Sequence, residues 1–315
     1  MKIVFTDAKT VANQDLTLDS FGEFGELVTY PLTEKKDVPK RVFDADAIIC
    51  NKTPMNAETL GDAKKLKYIG VLATGYNNVD VDYINSRGIT LCNAGGYSTS
   101  AVAQHVFAMI LHRFSMIGDF ADYTKKGEWI KADVFSPLVF PSQEIAGKTL
   151  GLVGYGAIAQ AVAKIALAFD MQVVVFTRTP KNSKEVDFVD FETMLEKSDI
   201  ISVHCPLNTE SQGLFNAAAF DKCKKNAYFI NTARGGVVVE KDLAAALKSA
   251  TIGGAALDVL DKEPMAADCA LIGAPNLLIT PHVAWTPLET RKHLLEITKD
   301  NLAAYLKGEP QHVIS

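Results

Sequence analysis

No stretch constrains the fold of this chain more than Lys148 to Thr179, which reads KTLGLVGYGAIAQAVAKIALAFDMQVVVFTRT. It opens on a short apolar run, Leu150 to Val153, of the kind that forms a buried strand. Gly154-Tyr155-Gly156-Ala157-Ile158-Ala159 follows, in the Gly-x-Gly-x-x-Gly/Ala pattern. A helix is expected next, with Ile158, Val162, Ile165, Ala166 and Phe169 on one face, and Val173 to Phe176 then closes the unit as a second strand. Glycines set between a strand and an amphipathic helix, inside a unit of roughly 30 residues, are a dinucleotide-binding fingerprint. Gly154 permits the tight turn, Gly156 lets the backbone approach a pyrophosphate, and Ala159 is small enough for the helix to pack on the strand. The helix N-terminus offers unpaired N–H groups and a positive dipole end to the phosphates.

The 315 residues suit two domains, and a content of 48% apolar and 22% charged residues is that of a globular protein. A net charge of −5 argues against nucleic acid as a partner. No apolar run approaches the ~20 residues that span a bilayer, so no membrane association is expected. The opening MKIVFTDAKT is too short in its apolar part for a signal peptide. The cysteines (Cys50, Cys92, Cys205, Cys223 and Cys269) are odd in number and lack paired spacing. They read as free thiols in a reducing compartment, so a cytoplasmic location is expected and neither disulfides nor a metal site is.

Residues 1 to about 95 alternate strand-like segments (Ile3–Thr6, Leu27–Tyr30, Ala47–Cys50, Tyr68–Leu72, Ile89–Cys92) with helix-like ones (Val38–Phe43, Ala57–Leu60, Val81–Ser86). Such alternation implies a parallel sheet covered by helices on both faces. A single long helix is expected from Thr99 to about Lys126, with Val102, Val106, Met109, Ile110 and Phe114 at helical spacing. Trp129 to Pro141 is aromatic and punctuated by proline, and could form an arm that reaches a second subunit; a homodimer through the 99–141 region is expected. Beyond the fingerprint, strands are expected at Ile200–Val203, Tyr228–Asn231, Gly254–Leu257 and Leu277–Thr280, and the last helix at Pro287–Leu306. Polar residues collect just past these strands, where open α/β sheets bind ligands. Coenzyme contacts are therefore expected at Gly154, Gly156, Ala157, Ile158, Thr177, Arg178, Thr179, His204, Pro206, Thr209, Thr232, Ala233, Asp258 and Thr99.

Three ionisable residues follow strands of this second sheet. Arg234 precedes two glycines expected to bend the backbone, and its planar fork matches a carboxylate. Glu263 lies in Asp261-Lys262-Glu263-Pro264, and His282 in Thr280-Pro281-His282-Val283-Ala284-Trp285. Taken singly, each reads equally well as an ordinary salt bridge, solvated charge or packed histidine. Together, beside a nicotinamide site, they supply an anion clamp, a proton donor and a carboxylate to tune that donor.

Across essentially its whole length the chain resembles the D-isomer-specific 2-hydroxy acid dehydrogenases. The resemblance rests on the fingerprint, on Asn231-Thr232-Ala233-Arg234-Gly235-Gly236, on Ala256-Leu257-Asp258-Val259 with Glu263-Pro264, and on Thr280-Pro281-His282. Asn93-Ala94-Gly95-Gly96-Tyr97-Ser98-Thr99 and His282-Val283-Ala284-Trp285 are most similar to the glycerate dehydrogenase/hydroxypyruvate reductase branch. The resemblance implies two doubly wound α/β parallel-sheet domains. One is a smaller flavodoxin-like substrate domain, 1–97 plus 285–315, and the other an NAD(P)-binding Rossmann domain, 98–284, with a cleft between them. It implies hydride transfer from NAD(P)H to C2 of a small 2-keto acid, with Arg234 on the carboxylate, His282 as general acid and Glu263 raising the pKa of His282. It also implies substrate contacts from backbone N–H groups at Thr74 and Gly75, in a loop that departs from the family at Asn77-Asn78, where an acidic residue is usual. A dinucleotide-sensing corepressor-like protein of the same fold would retain the same triad, and a D-lactate-type dehydrogenase is a further alternative. Tyr97 and Trp285 could crowd the pocket and favour two- and three-carbon substrates. NAD-specific sites place a carboxylate about 20 residues beyond the glycines. Here that position is Thr177, followed by Arg178 and Thr179, so the expectation tips toward NADP with NAD also accepted.

Overall fold

The computed structural model describes residues 1–180 and 183–314; Lys181, Asn182 and Ser315, which fall in the expected domains, lie outside the described residues. The chain divides into two compact units, Met1–Ser98 with Trp285–Ser315, and Thr99–Ala284.

The first unit is built on β1 (Lys2–Phe5), β2 (Glu26–Thr29), β3 (Ala47–Cys50), β4 (Tyr68–Val71) and β5 (Thr90–Asn93). Every pairing is parallel and the order is β2-β1-β3-β4-β5, the flavodoxin-like arrangement. Residues AIIC of β3 and YIGV of β4 are buried throughout, as strands covered on both faces require. The connecting helices are α1 (Val38–Val42), α2 (Ala57–Leu60) and α3 (Val81–Ser86). Helix α2 is short but firmly started: the Asn56 side chain accepts from the N–H groups of Glu58 and Thr59, and the Thr59 hydroxyl accepts from the Asn56 N–H. The carboxy-terminal helix Leu288–Leu306 buries Leu294, Leu295 and Leu302 against Ile3, Phe5, Ile49 and Tyr68. Beyond it the chain runs along β5, with the Ile314 N–H donating to the Leu91 carbonyl at 2.8 Å.

The second unit begins with α4 (Thr99–Ser115) and α5 (Ile117–Lys125). The single helix expected to about Lys126 is broken at Met116, whose φ of 51° is left-handed and cannot continue a right-handed helix. Helix α4 buries Val106, Phe107, Met109, Ile110 and Phe114 in the core of this unit, where it packs along α6 (Ala157–Ala168). The seven strands are β6 (Thr149–Val153), β7 (Gln172–Phe176), β8 (Asp187–Phe188), β9 (Ile200–Val203), β10 (Tyr228–Asn231), β11 (Gly254–Leu257) and β12 (Leu277–Ile279). Their order is β12-β11-β10-β9-β6-β7-β8, all parallel. The direction of winding reverses between β6 and β9, which is the switch point of a dinucleotide-binding sheet. The remaining helices are α7 (Phe191–Lys197), α8 (Ala217–Asp221) and α9 (Glu240–Lys248).

Two local features explain sequence choices that periodicity leaves open. Gly151 interrupts β6 because Ser198 lies directly against it: a Cβ there would sit 2.1 Å from Ser198 Oγ. The buried face of α6 is Ala159, Val162, Ala163 and Ala166, so small residues bring the helix close to the sheet. Phe169, expected on that face, caps the helix instead, stays 39% exposed, and stacks on Phe107 with centroids 5.6 Å apart.

Candidate active site

Because all seven strands of the second unit are parallel, their carboxyl ends share one edge, and the polar segments after β6, β7, β9, β10, β11 and β12 meet there. Gly154 has φ +91°, and its N–H donates to the Phe176 carbonyl at 2.8 Å. A Cβ at Gly154 would lie 3.0 Å from the His204 carbonyl oxygen, so both conformation and space require glycine. Gly156 is the N-cap of α6, makes no side-chain cap, and has no heavy atom within 4 Å of where its Cβ would be. The first-turn N–H groups at Ala157 and Ile158 therefore open onto unfilled space, as a pyrophosphate site needs. The Thr232 hydroxyl, just past β10, is buried and has no hydrogen-bond partner among the described residues. These features fit a nicotinamide dinucleotide.

The other expected coenzyme contacts are distributed around this turn. Thr177 is half-buried at the end of β7, while Arg178 and Thr179 are exposed. Arg178 Nη1 lies 2.7 Å from Glu210 Oε2. After β9, His204 Nε2 meets Ser202 Oγ at 2.9 Å, and burial pushes the His204 pKa down to about 4, which leaves it neutral at pH 7. Pro206 and Thr209 are exposed in the same loop, and Thr99 opens α4.

Arg234, Glu263 and His282 line one cavity of about 170 Å³, together with Leu207, Gly236 and Val259. His282 Nδ1 is 2.7 Å from Glu263 Oε2, and Glu263 Oε1 accepts the Leu260 N–H at 2.9 Å. With Nδ1 directed at a carboxylate, Nδ1 carries a proton and Nε2 is left to exchange one with a ligand. His282 is only 30% exposed and Glu263 36%, so their contact is partly shielded from water. His282 also has φ +55°, a conformation uncommon for a side-chain-bearing residue and frequent at functional sites.

Residues that the sequence reading did not assign to these roles hold the three in place. Asp258 was expected to face the coenzyme. Its carboxylate is instead 1% exposed and turned toward the His282 segment. Oδ1 accepts from the Thr280 hydroxyl at 2.5 Å and the Val283 N–H at 2.9 Å, and Oδ2 accepts the Ala284 N–H at 2.9 Å. The Thr280 hydroxyl in turn meets His105 Nε2 of α4 at 3.0 Å. Since that hydroxyl donates to Asp258, it accepts from His105. Asn231, fully buried at the end of β10, accepts from the Ala233 N–H and donates to the Arg234 carbonyl. Arg234 Nη1 donates to the Ala233 carbonyl at 2.7 Å. Gly235 and Gly236 do not have positive φ, so the bend expected of them is not their purpose. A Cβ on Gly235 would lie 1.9 Å from the Leu260 carbonyl carbon: glycine is needed so that the Arg234 segment can press against the backbone leading to Glu263. The signal in the sequence was a polar residue closing each apolar strand, Asn231 for β10 and Asp258 just after β11.

In the first unit, Thr74 and Gly75 follow β4. The Thr74 hydroxyl donates to the Ala94 carbonyl at 3.0 Å, and the Thr74 carbonyl accepts from Asn93 Nδ2 at 2.7 Å. The N–H groups of Thr74, Gly75 and Tyr76 make no hydrogen bond among the described residues. Tyr97 and Trp285 meet edge to face, centroids 6.3 Å apart, and pack on the core of this unit.

The profile of the D-isomer specific 2-hydroxyacid dehydrogenase NAD-binding domain matches residues 107–284. The chain belongs to the D-isomer-specific 2-hydroxyacid dehydrogenase family. It is 36% identical over 321 residues to a hydroxypyruvate reductase of Blautia hydrogenotrophica, covering 100% of each chain. It is 37% identical to a glycerate dehydrogenase of Methylorubrum extorquens, covering 99% of this chain and 98% of the relative. Among solved structures, an NADPH-dependent glyoxylate/hydroxypyruvate reductase of Sinorhizobium meliloti superposes with a TM-score of 0.87 at 26% identity, covering 100% and 97%. This dehydrogenase is thus an NAD(P)-dependent oxidoreductase of the glycerate/hydroxypyruvate branch. Among its described residues no group of three His, Cys, Asp or Glu side chains is arranged to hold a metal ion. Among the described residues no helix is long and apolar enough to cross a membrane either.

The pairing of His282 with Glu263 predicts that His282→Ala lowers kcat by about 10²–10⁴-fold, the usual worth of a positioned acid–base group. Coenzyme affinity, measured by fluorescence titration, should stay close to wild type. Turnover near the wild-type rate in that variant at neutral pH would remove His282 from proton transfer.

Proposed function

We propose that this dehydrogenase reduces small 2-keto acids, hydroxypyruvate and glyoxylate foremost, to the corresponding D-2-hydroxy acid or its achiral equivalent. The observation that carries this reading is the convergence of Arg234, Glu263 and His282 on one cavity at the carboxyl edge of the seven-stranded sheet. Bound at the Gly154–Ala157 turn, NAD(P)H supplies the hydride that adds to C2 of the keto acid. The Arg234 guanidinium donates to the substrate carboxylate and polarises the neighbouring carbonyl. Negative charge then builds on the carbonyl oxygen, and His282 transfers its Nε2 proton to that oxygen. Glu263 accepts from Nδ1–H and stabilises the ring while it is charged. In the oxidative direction His282 takes the same proton back. Holding substrate and donor in register supplies much of the acceleration. The family resemblance assigns Thr74 and Gly75 to the substrate carboxylate, and their free N–H groups support that assignment.

The finer points of the proposal follow the same residues. NADPH is the preferred coenzyme and NADH a usable one, because Thr177 stands where an NAD-specific site carries a carboxylate and Arg178 offers a cation to a 2′-phosphate. The enzyme works in the cytoplasm, a proposal supported by its free cysteines. It acts as a homodimer through the 99–141 region. Ile130, Phe135 and Leu138 there are 91%, 89% and 97% exposed, and a groove of about 360 Å³ is lined by Phe135 and Leu138 together with Phe120, Tyr123 and Trp129. Contiguous exposed apolar side chains of this kind mark interaction surfaces.

Initial rates with hydroxypyruvate, glyoxylate, pyruvate and phenylpyruvate, each with NADPH and with NADH, test the assignment. The highest kcat/KM is expected for hydroxypyruvate or glyoxylate, and a preference for phenylpyruvate would contradict it. Light scattering coupled to gel filtration should give a dimer for the wild type and a monomer for the Phe135→Asp/Leu138→Asp double variant. An unchanged mass in that variant would move the interface elsewhere.

A further inference from the structure

The carboxylate missing from the end of β7 has a counterpart on the other side of the phosphate turn. In the sheet, β6 lies between β7 and β9, with Val153 in register with both Phe176 and Val203. Arg178 follows β7, and Glu210 stands in the loop that follows β9. Their side chains meet at 2.7 Å. The pair therefore spans the carboxyl end of β6, where Gly154 to Ala157 form the phosphate turn. Glu210 is itself firmly presented: Asn208 Oδ1 accepts the N–H groups of both Glu210 and Ser211, and the Ser211 hydroxyl donates to the Pro206 carbonyl.

We propose that Glu210 sets the coenzyme choice of this enzyme by competing with the 2′-phosphate of NADP(H) for Arg178. This rests on the reading of the chain as an NAD(P)H-dependent reductase and adds a residue to it. With the pair closed, the mouth of the adenosine site holds one positive and one negative charge and accepts the uncharged ribose of NADH. With a 2′-phosphate present, Arg178 exchanges a carboxylate for a phosphate, a comparable charge-assisted partner with more acceptor oxygens. The exchange is easy because the two side chains are 66% and 65% exposed, and exposed ion pairs contribute little to stability. Glu210 stays nearby as a like charge to the phosphate and limits how strongly NADPH is preferred. Both coenzymes are therefore used.

The test is fluorescence titration of NADH and NADPH onto the full-length protein, as wild type, Glu210→Gln, Arg178→Ala and the double variant. Glu210→Gln should raise the ratio Kd(NADH)/Kd(NADPH) roughly five- to tenfold, with the gain shrinking as salt screens the exposed charges. Arg178→Ala should lower the ratio, and the double variant should fall between the two single ones. A Glu210→Gln ratio within twofold of wild type, with both coenzymes still bound, overturns the role of Glu210 and leaves the reductase reading intact. A ratio that moves as expected in a protein that reduces no keto acid upholds Glu210 and removes the reductase reading.

Discussion

The Asp258 carboxylate is the constraint on which the site depends. It lies one residue beyond β11, is 1% exposed, and accepts from the Thr280 hydroxyl and the N–H groups of Val283 and Ala284. A carboxylate buried to that degree is costly unless its oxygens are occupied, and here it gives backbone N–H groups of the loop their acceptor. Charge and loop therefore support each other. The Asp258 carbonyl also accepts the His282 N–H at 2.8 Å, so His282 is held from both sides. Its left-handed backbone costs about 1–3 kcal/mol, which this lattice of hydrogen bonds offsets. The ring is thereby delivered to Glu263 without relying on side-chain freedom.

The remaining geometry follows from parallel strands. Seven strands running the same way put every following loop on one edge, so residues far apart in sequence, such as Gly154, Arg234 and His282, stand at the same edge. What keeps those loops in register is close backbone contact. Gly154 lies against the backbone at His204 and Cys205, and Gly235 against that of Leu260 and Asp261, each leaving no room for a Cβ. Glycine acts at these places through the volume it leaves free, and only at Gly154 through its φ as well.

The strands and the grouping of Arg234, Glu263 and His282 were legible because they carry strong local signals: unbroken apolar runs such as Ala47–Cys50 and Tyr228–Ile230, and motifs of fixed spacing. Boundaries shifted by about one residue, as in β1, expected at Ile3–Thr6 and found at Lys2–Phe5. The break at Met116 was not legible, because Ser115-Met116-Ile117 contains neither Gly nor Pro to mark the left-handed residue. β8 has only two residues and no apolar run to announce it. The inward turn of Asp258, the closeness of Gly235 to Leu260 and the Arg178–Glu210 pair are contacts between residues remote in sequence, which no local pattern encodes.

Direct hydride delivery to one face of C2 of a small keto acid, with protonation of the carbonyl oxygen, is tested most directly by isotope transfer. Hydroxypyruvate would be reduced with each of the two C4-deuterated stereoisomers of NADPH, and the glycerate analysed by mass spectrometry and chiral chromatography. One stereoisomer should place a single deuterium at C2 of D-glycerate and the other none. Deuterium lost to solvent, or an L or racemic product, would contradict it.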